Sequence, residues 1–163
     1  DPASMQANVS LVRDALIAAA PDHEAAFIKN ADALAAELDT LHADFEAGLS
    51  DCKHRTFITG HAAFGHLAAA FELEQVAAMG VDSHDEPSAS DLARIIDLIK
   101  DEDITTVLSE TAQPDATSSA LSRETGAEIA VLNPLEFAPD AGSDYVSVMR
   151  ENLDSLQQAM ECR

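Results

Sequence analysis

Residues 56–78, TFITGHAAFGHLAAAFELEQVAA, hold three patterns in one short run. Residues 56–59 are short, apolar and rich in β-branched side chains, as a strand is. Residues 62–72, five of them Ala, read as a helix, and residues 75–78 form a second β-like run. Strand, helix, strand in so little chain implies a parallel pair, because parallel strands need a crossover connection. The alternation continues downstream. Residues 104–108 and 128–132 read as strands, and 88–101, 115–125 and 143–161 as helices. The expected fold class is therefore α/β: a four-stranded parallel sheet flanked by helices on both faces. Boundary signals agree. Ser88 to Asp91 has capping-box spacing, Gly126 sits where a helix would stop, and Val146, Met149, Leu153, Leu156 and Met160 stripe the last helix.

Upstream the pattern is purely helical. Residues 3–19 carry Val9, Val12, Leu16 and Ile17 on one face, and Pro21 closes that segment. Phe27, Ala31, Leu34, Leu38, Leu41, Phe45 and Leu49 then recur at steps of four and three. A helix over residues 22–49 would be about 40 Å long at about 1.5 Å per residue. Two parts follow: 1–50, an N-terminal helix and a long helix, and 51–163, the α/β lobe.

Thirty acidic residues against 9 basic ones give a net charge of -21, which argues against nucleic acid or an anionic membrane surface as partner and favours cations. No apolar run approaches the roughly 20 residues that span a bilayer. Cys52 and Cys162 are consistent either with an oxidising compartment or with two buried free thiols.

In an open α/β sheet, ligands bind beyond the carboxyl ends of the strands. Four segments qualify: Gly60-His61, Gly80 to Glu86, Ser109-Glu110, and Asn133 to Glu136. His61 is the foremost candidate ligand; its plain alternative is a histidine that caps or packs at the junction. His66 is five residues on, about 500° around a helix, so it would point some 140° away and form no i, i+4 metal clamp with His61. His84, in a strand-end loop, is a candidate to support a site. His23 and His54 read as surface histidines, and His42 as a helical histidine without a partner. No nucleophile elbow, glycine-rich phosphate loop or cysteine beside a base is present, so the expectation is that the chain is not an enzyme.

Four ordered segments, FITGHAAFGHLAAAFELEQVA, DEPSASDLARIIDLIK, SRETGAEIAVLNPLEF and DYVSVMRENLDSLQQAM, resemble the C-terminal lobe of zinc-binding receptors of bacterial ABC importers, the ZnuA-like family of high-affinity zinc uptake. Asp1-Pro2 looks like the end of that family's H-x-W-L-D-P motif. The resemblance implies a C-terminal portion of a longer receptor, with the long helix joining two lobes and an N-terminal lobe beyond this chain. It implies zinc as the bound ion and His61 and Glu136 as metal ligands, with Asn133 near the position where related receptors have a ligand aspartate. His84 and Glu110, by their strand-end places, are with Asn133 candidate supporting residues. It implies an ABC permease as partner and a periplasmic or lipid-anchored extracellular location. Histidine at position 61 favours zinc over manganese, with a manganese or other divalent-metal receptor, or a surface adhesion domain, as alternative readings. The resemblance also implies a Cys52–Cys162 disulfide, closing a loop of about 110 residues and contributing about 4–5 kcal/mol in the chain-entropy model.

Overall fold

The computed structural model describes residues 1–79, 87–110, 115–138 and 141–163. The chain divides into two compact units, Asp1–Ala47 and Gly48–Arg163. The expected loop from Gly80 to Glu86, including His84, lies outside the described residues.

The first unit holds α1 (Pro2–Ala19), a single 3-10 turn (Pro21–His23) and most of α2 (Glu24–Gly48). Asp1 starts α1 as N-cap, its carboxylate accepting from the Ser4 N–H at 3.0 Å, with Pro2 in the first turn. Pro21 has no N–H to continue α1 and opens the tight turn instead. The apolar stripe expected on α1 is not buried: Val12 and Leu16 are exposed. They line an open groove of about 410 Å³ with Met5, Phe27, Ala31 and Leu34. The stripe on α2 is buried only at Leu38, Leu41 and Phe45.

The second unit is the sheet. Its strands are β1 (Thr56–His61), β2 (Glu74–Met79), β3 (Thr106–Ser109) and β4 (Glu128–Val131), in the order β2-β1-β3-β4 and all parallel. The helices between and after them are α3 (Gly65–Ala70), α4 (Ala89–Asp101), α5 (Ala116–Thr125) and α6 (Tyr145–Ala159). Ile58 and Val107 on the inner strands meet Ile95 and Ile99 of α4 and Leu121 of α5 in one core cluster. Strand alternation turns Phe57 and Leu108, both buried, to the opposite face. From that side α6 packs on β3 and β4 with Met149, Leu153 and Leu156.

Several boundaries differ from the sequence reading by one to three residues, two of them at the inner strands. The helix expected from residue 62 begins at Gly65, because β1 runs on through Gly60 and His61, with His61 in register with Met79 of β2. The third strand begins at Thr106, and Ile104 is buried just ahead of it. The caps work as the sequence suggests: Ser88 Oγ accepts from the Asp91 N–H, and Gly126 takes the left-handed φ of 81° that ends α5. Asp144 and Ser147 form a reciprocal capping box at the start of α6.

Cys52 and Cys162 are joined by a disulfide, the pairing the resemblance implied. The backbone on either side pairs as a short antiparallel ladder: Arg163 N–H donates to Asp51 O at 2.9 Å and His54 N–H to Met160 O at 3.1 Å. His54 is a correction to the sequence reading. It is buried, not a surface side chain, and its Nε2 lies 3.7 Å from Glu161 Oε1 because the ladder draws it under that residue. His42 also has a partner, Glu46 one helical turn on, at 3.6 Å. His23 is exposed, its ring edge-on to Phe27.

Candidate metal centre

The strand order reverses between β1 and β3. β1 connects outward to β2 on one side, and the next crossover returns past β1 to β3 on the other. Such a switch point leaves a crevice beyond the carboxyl ends of the two strands. His61 is the last residue of β1, and Glu110 follows Ser109, the last residue of β3. Both are nearly buried, with side chains 11% and 10% exposed.

Glu110 reaches across the crevice and puts one oxygen, Oε1, 3.0 Å from both the backbone N and the ring Nδ1 of His61. The opposite ring nitrogen, Nε2, lies 3.7 Å from Oε1 of Glu136. Gly60 makes this approach possible. A Cβ at that position would lie 3.0 Å from Oε2 of Glu110 and 3.0 Å from Oδ2 of Asp115.

The turn after β1 is tied down by a residue the sequence reading did not single out. Gln75 of β2 donates from Nε2 to Thr59 Oγ1 (2.8 Å) and His61 O (3.0 Å), and its Oε1 accepts from Phe64 N–H (3.1 Å). Thr59 Oγ1 donates in turn to His61 O at 2.8 Å. The His61 carbonyl thus accepts from both side chains. The only signal in the sequence is a long polar side chain in a strand beside the candidate histidine.

Glu136 is presented differently. Its side chain is 57% exposed, and it follows Leu135, whose φ of 59° is uncommon for a residue with a Cβ. Asn133 Oδ1 accepts from the Leu135 N–H at 2.8 Å, a local turn that sets this conformation. Asn152 of α6 holds the start of the loop, its Oδ1 accepting from Asn133 N–H (2.7 Å) and its Nδ2 donating to Asn133 O (2.8 Å). Asn133 therefore shapes the loop with its side chain. Asn152 was missed, although an amide amid the stripe Met149, Leu153 and Leu156 is a residue that needs a partner once buried.

His66 is exposed, and the helical-angle argument does not apply to it, since residues 61–64 are not helical. Among the described residues no three His, Cys, Asp or Glu side chains are grouped so as to hold a metal by themselves.

A family model described as ZnuA, zinc-uptake complex component A periplasmic, matches residues 1–159. The chain belongs to the ZnuA family. Zinc-binding lipoprotein AdcA of Streptococcus pneumoniae is 39% identical over 157 residues, which are 94% of this chain and 31% of that protein. High-affinity zinc uptake system protein ZnuA of Bacillus subtilis is 29% identical over 163 residues, covering 98% of this chain and 51% of that protein. The chain thus spans about half or less of these curated relatives. Among solved structures, the Zn(II)-bound ZnuA-like domain of Streptococcus pneumoniae AdcA is similar with a TM-score of 0.76 at 39% identity, covering 92% of this chain and 58% of that one. The laminin-binding protein Lbp of Streptococcus pyogenes is similar with a TM-score of 0.83 at 31% identity, covering 91% of this chain and 59% of that one. The four-stranded parallel sheet with its flanking helices matches a lobe of the ZnuA-like domain of AdcA.

Proposed function

We propose that this chain is part of an extracytoplasmic receptor that captures Zn2+ and passes it to an ABC permease, with His61 and Glu136 as the two ligands it contributes. The observation that carries this reading is the 3.7 Å separation of His61 Nε2 and Glu136 Oε1. That is too long for a hydrogen bond. Two donors at 2.0–2.2 Å from a tetrahedral zinc are separated by roughly 3.3–3.6 Å, so the pair is spaced close to one edge of such a site. Imidazole nitrogen with carboxylate oxygen suits zinc, and the imidazole favours it over manganese. Glu110 and Glu136 on either side of His61, within a chain of net charge -21, make the crevice attractive to a cation.

Zinc-binding names among the relatives support the ion, and the family description supports a place in an uptake system. Capture and hand-over need no bond of the cargo to be broken, so the reading is a receptor and not an enzyme. The relatives called lipoprotein or periplasmic support a location outside the cytoplasm, and a disulfide persists in such a compartment. Two ligands fill half of a four-coordinate site. The remaining donors belong, on this reading, to parts of the receptor beyond this chain, and the chain alone holds zinc weakly.

Calorimetric titration of the 163-residue chain with zinc tests this. Weak binding that disappears in His61→Ala and Glu136→Ala is expected. Submicromolar binding that survives His61→Ala overturns both the ligand assignment and the half-site. A second reading, surface adhesion, draws on the laminin-binding neighbour. Laminin binding by the chain that is indifferent to zinc and to His61→Ala would favour it.

A further inference from the structure

Resting on that reading, we infer that Glu110 is a positioning residue that sets which nitrogen of His61 faces the metal, and that Gly60 is the vacancy it needs. At 3.0 Å, a carboxylate oxygen beside Nδ1 is stable only if that nitrogen carries the hydrogen, since two lone pairs at this distance repel. The hydrogen on Nδ1 leaves Nε2 with the free lone pair, and Nε2 is the nitrogen that faces Glu136. Free neutral histidine side chains in water favour the other tautomer, with hydrogen on Nε2. The protein therefore selects the minor form, and Glu110 is the group placed to select it.

The same Oε1 also accepts from the backbone N–H of His61, so the carboxylate is registered to the residue it orients and not merely near it. The wall behind it is Gly60. An alanine there would put a Cβ 3.0 Å from Glu110 Oε2, with Asp115 Oδ2 equally close on another side. Asp115 cannot yield freely, because its carboxylate caps α5, accepting from Ser118 N–H at 2.8 Å and Ser118 Oγ at 3.1 Å. The displacement falls on Glu110. A carboxylate behind a ligating imidazole also raises the basicity of the ligating nitrogen, and loss of such partners lowers metal affinity by roughly 10–100-fold.

The test is a long-range 1H–15N correlation spectrum of the metal-free chain labelled at histidine, recorded where imidazoles are neutral. Wild type should show His61 with hydrogen on Nδ1. Glu110→Ala should convert it to the solvent-like pattern of exposed His66, whereas Glu110→Gln, whose amide oxygen can still accept both hydrogens, should retain it. Gly60→Ala should shift it towards the Glu110→Ala pattern with Glu110 still present. The weak zinc affinity should fall roughly 10–100-fold in Glu110→Ala and less in Glu110→Gln. Hydrogen on Nε2 in the wild type, or an unchanged pattern in folded Glu110→Ala, overturns the inference. The wild-type spectrum decides even if the variants fail to fold. If the tautomer is as expected but zinc leaves the His61 signals unmoved, the zinc reading fails and the role of Glu110 in orienting the ring stands.

Discussion

His61 and Glu136 approach each other from opposite kinds of structure. His61 ends an inner strand, is almost fully buried, and is held by Glu110, Gln75 and Thr59. Glu136 lies beyond the end of edge strand β4, is mostly exposed, and owes its place to Asn133 and Asn152. The first end is positioned by the sheet itself, the second by a few side-chain bonds to backbone. The two should therefore fail separately, except where something spans both.

The disulfide does span both, since it ties the chain just before β1 to the end of α6. Replacing both cysteines by serine should lower stability by about 4–5 kcal/mol in the chain-entropy model, seen as a lower urea midpoint. Both ends should be lost in a single transition; separate transitions would contradict the shared constraint.

Asn152→Ala comes next. It leaves the N–H and C=O of Asn133 without their partners, a cost of about 1–3 kcal/mol. Hydrogen exchange should rise in residues 133–136 while β1 stays protected. Faster exchange at His61 would mean the two ends are not independent.

At Leu135 the effect is smaller. A β-branched side chain tolerates φ of 59° poorly, so Leu135→Ile should cost about 1 kcal/mol or more, and Leu135→Gly should be near neutral. Thermal melts of the two variants give the order, and a reversed order would remove the loop strain from the account.

The weakest effect is on acid stability. The hydrogen bond from Lys53 is the main cause holding Glu161 below its ordinary 4.5, and the Ser147 backbone N–H is the main cause holding Asp144 below 3.8. For a depressed carboxylate, the stabilisation is complete above the unfolded value and is lost as pH falls through the folded one. Urea midpoints should therefore decline as pH drops below about 4.5, and Lys53→Met should flatten the Glu161 part of that decline. Asp144 is exposed and the Glu161 side chain 34% exposed, so solvent screening keeps the change small.

Much of the sheet was legible because its signals are local. Residues 56–59, 75–78 and 128–132 have strand composition, and Gly126 and Ser88 mark helix ends by chemistry that acts over a few residues. The start of α3 was misjudged because Ala62 and Ala63 are good helix formers, while Gln75, distant in sequence, takes the Phe64 N–H and holds the turn open. His54 was misread for a similar reason: nothing local says that residues 160–163 will pair back over it. At the candidate site, the strand-end rule selects the segments that hold His61, Glu110 and Glu136 without a homologue. Choosing Glu136 as a ligand needed the family resemblance, because an exposed carboxylate in an acidic chain has no pattern of its own. Asn152 and Gln75 act through long-range bonds to backbone, which no periodicity encodes.

The Cys52–Cys162 bond makes most of the second unit a closed covalent ring. A protease that cuts once within a connecting segment between those cysteines opens the ring without releasing a piece. Such a nicked lobe would keep both halves of its sheet and migrate as one species until a reductant is added. On the proposed extracytoplasmic reading, a single proteolytic cut would then be a wound the lobe survives.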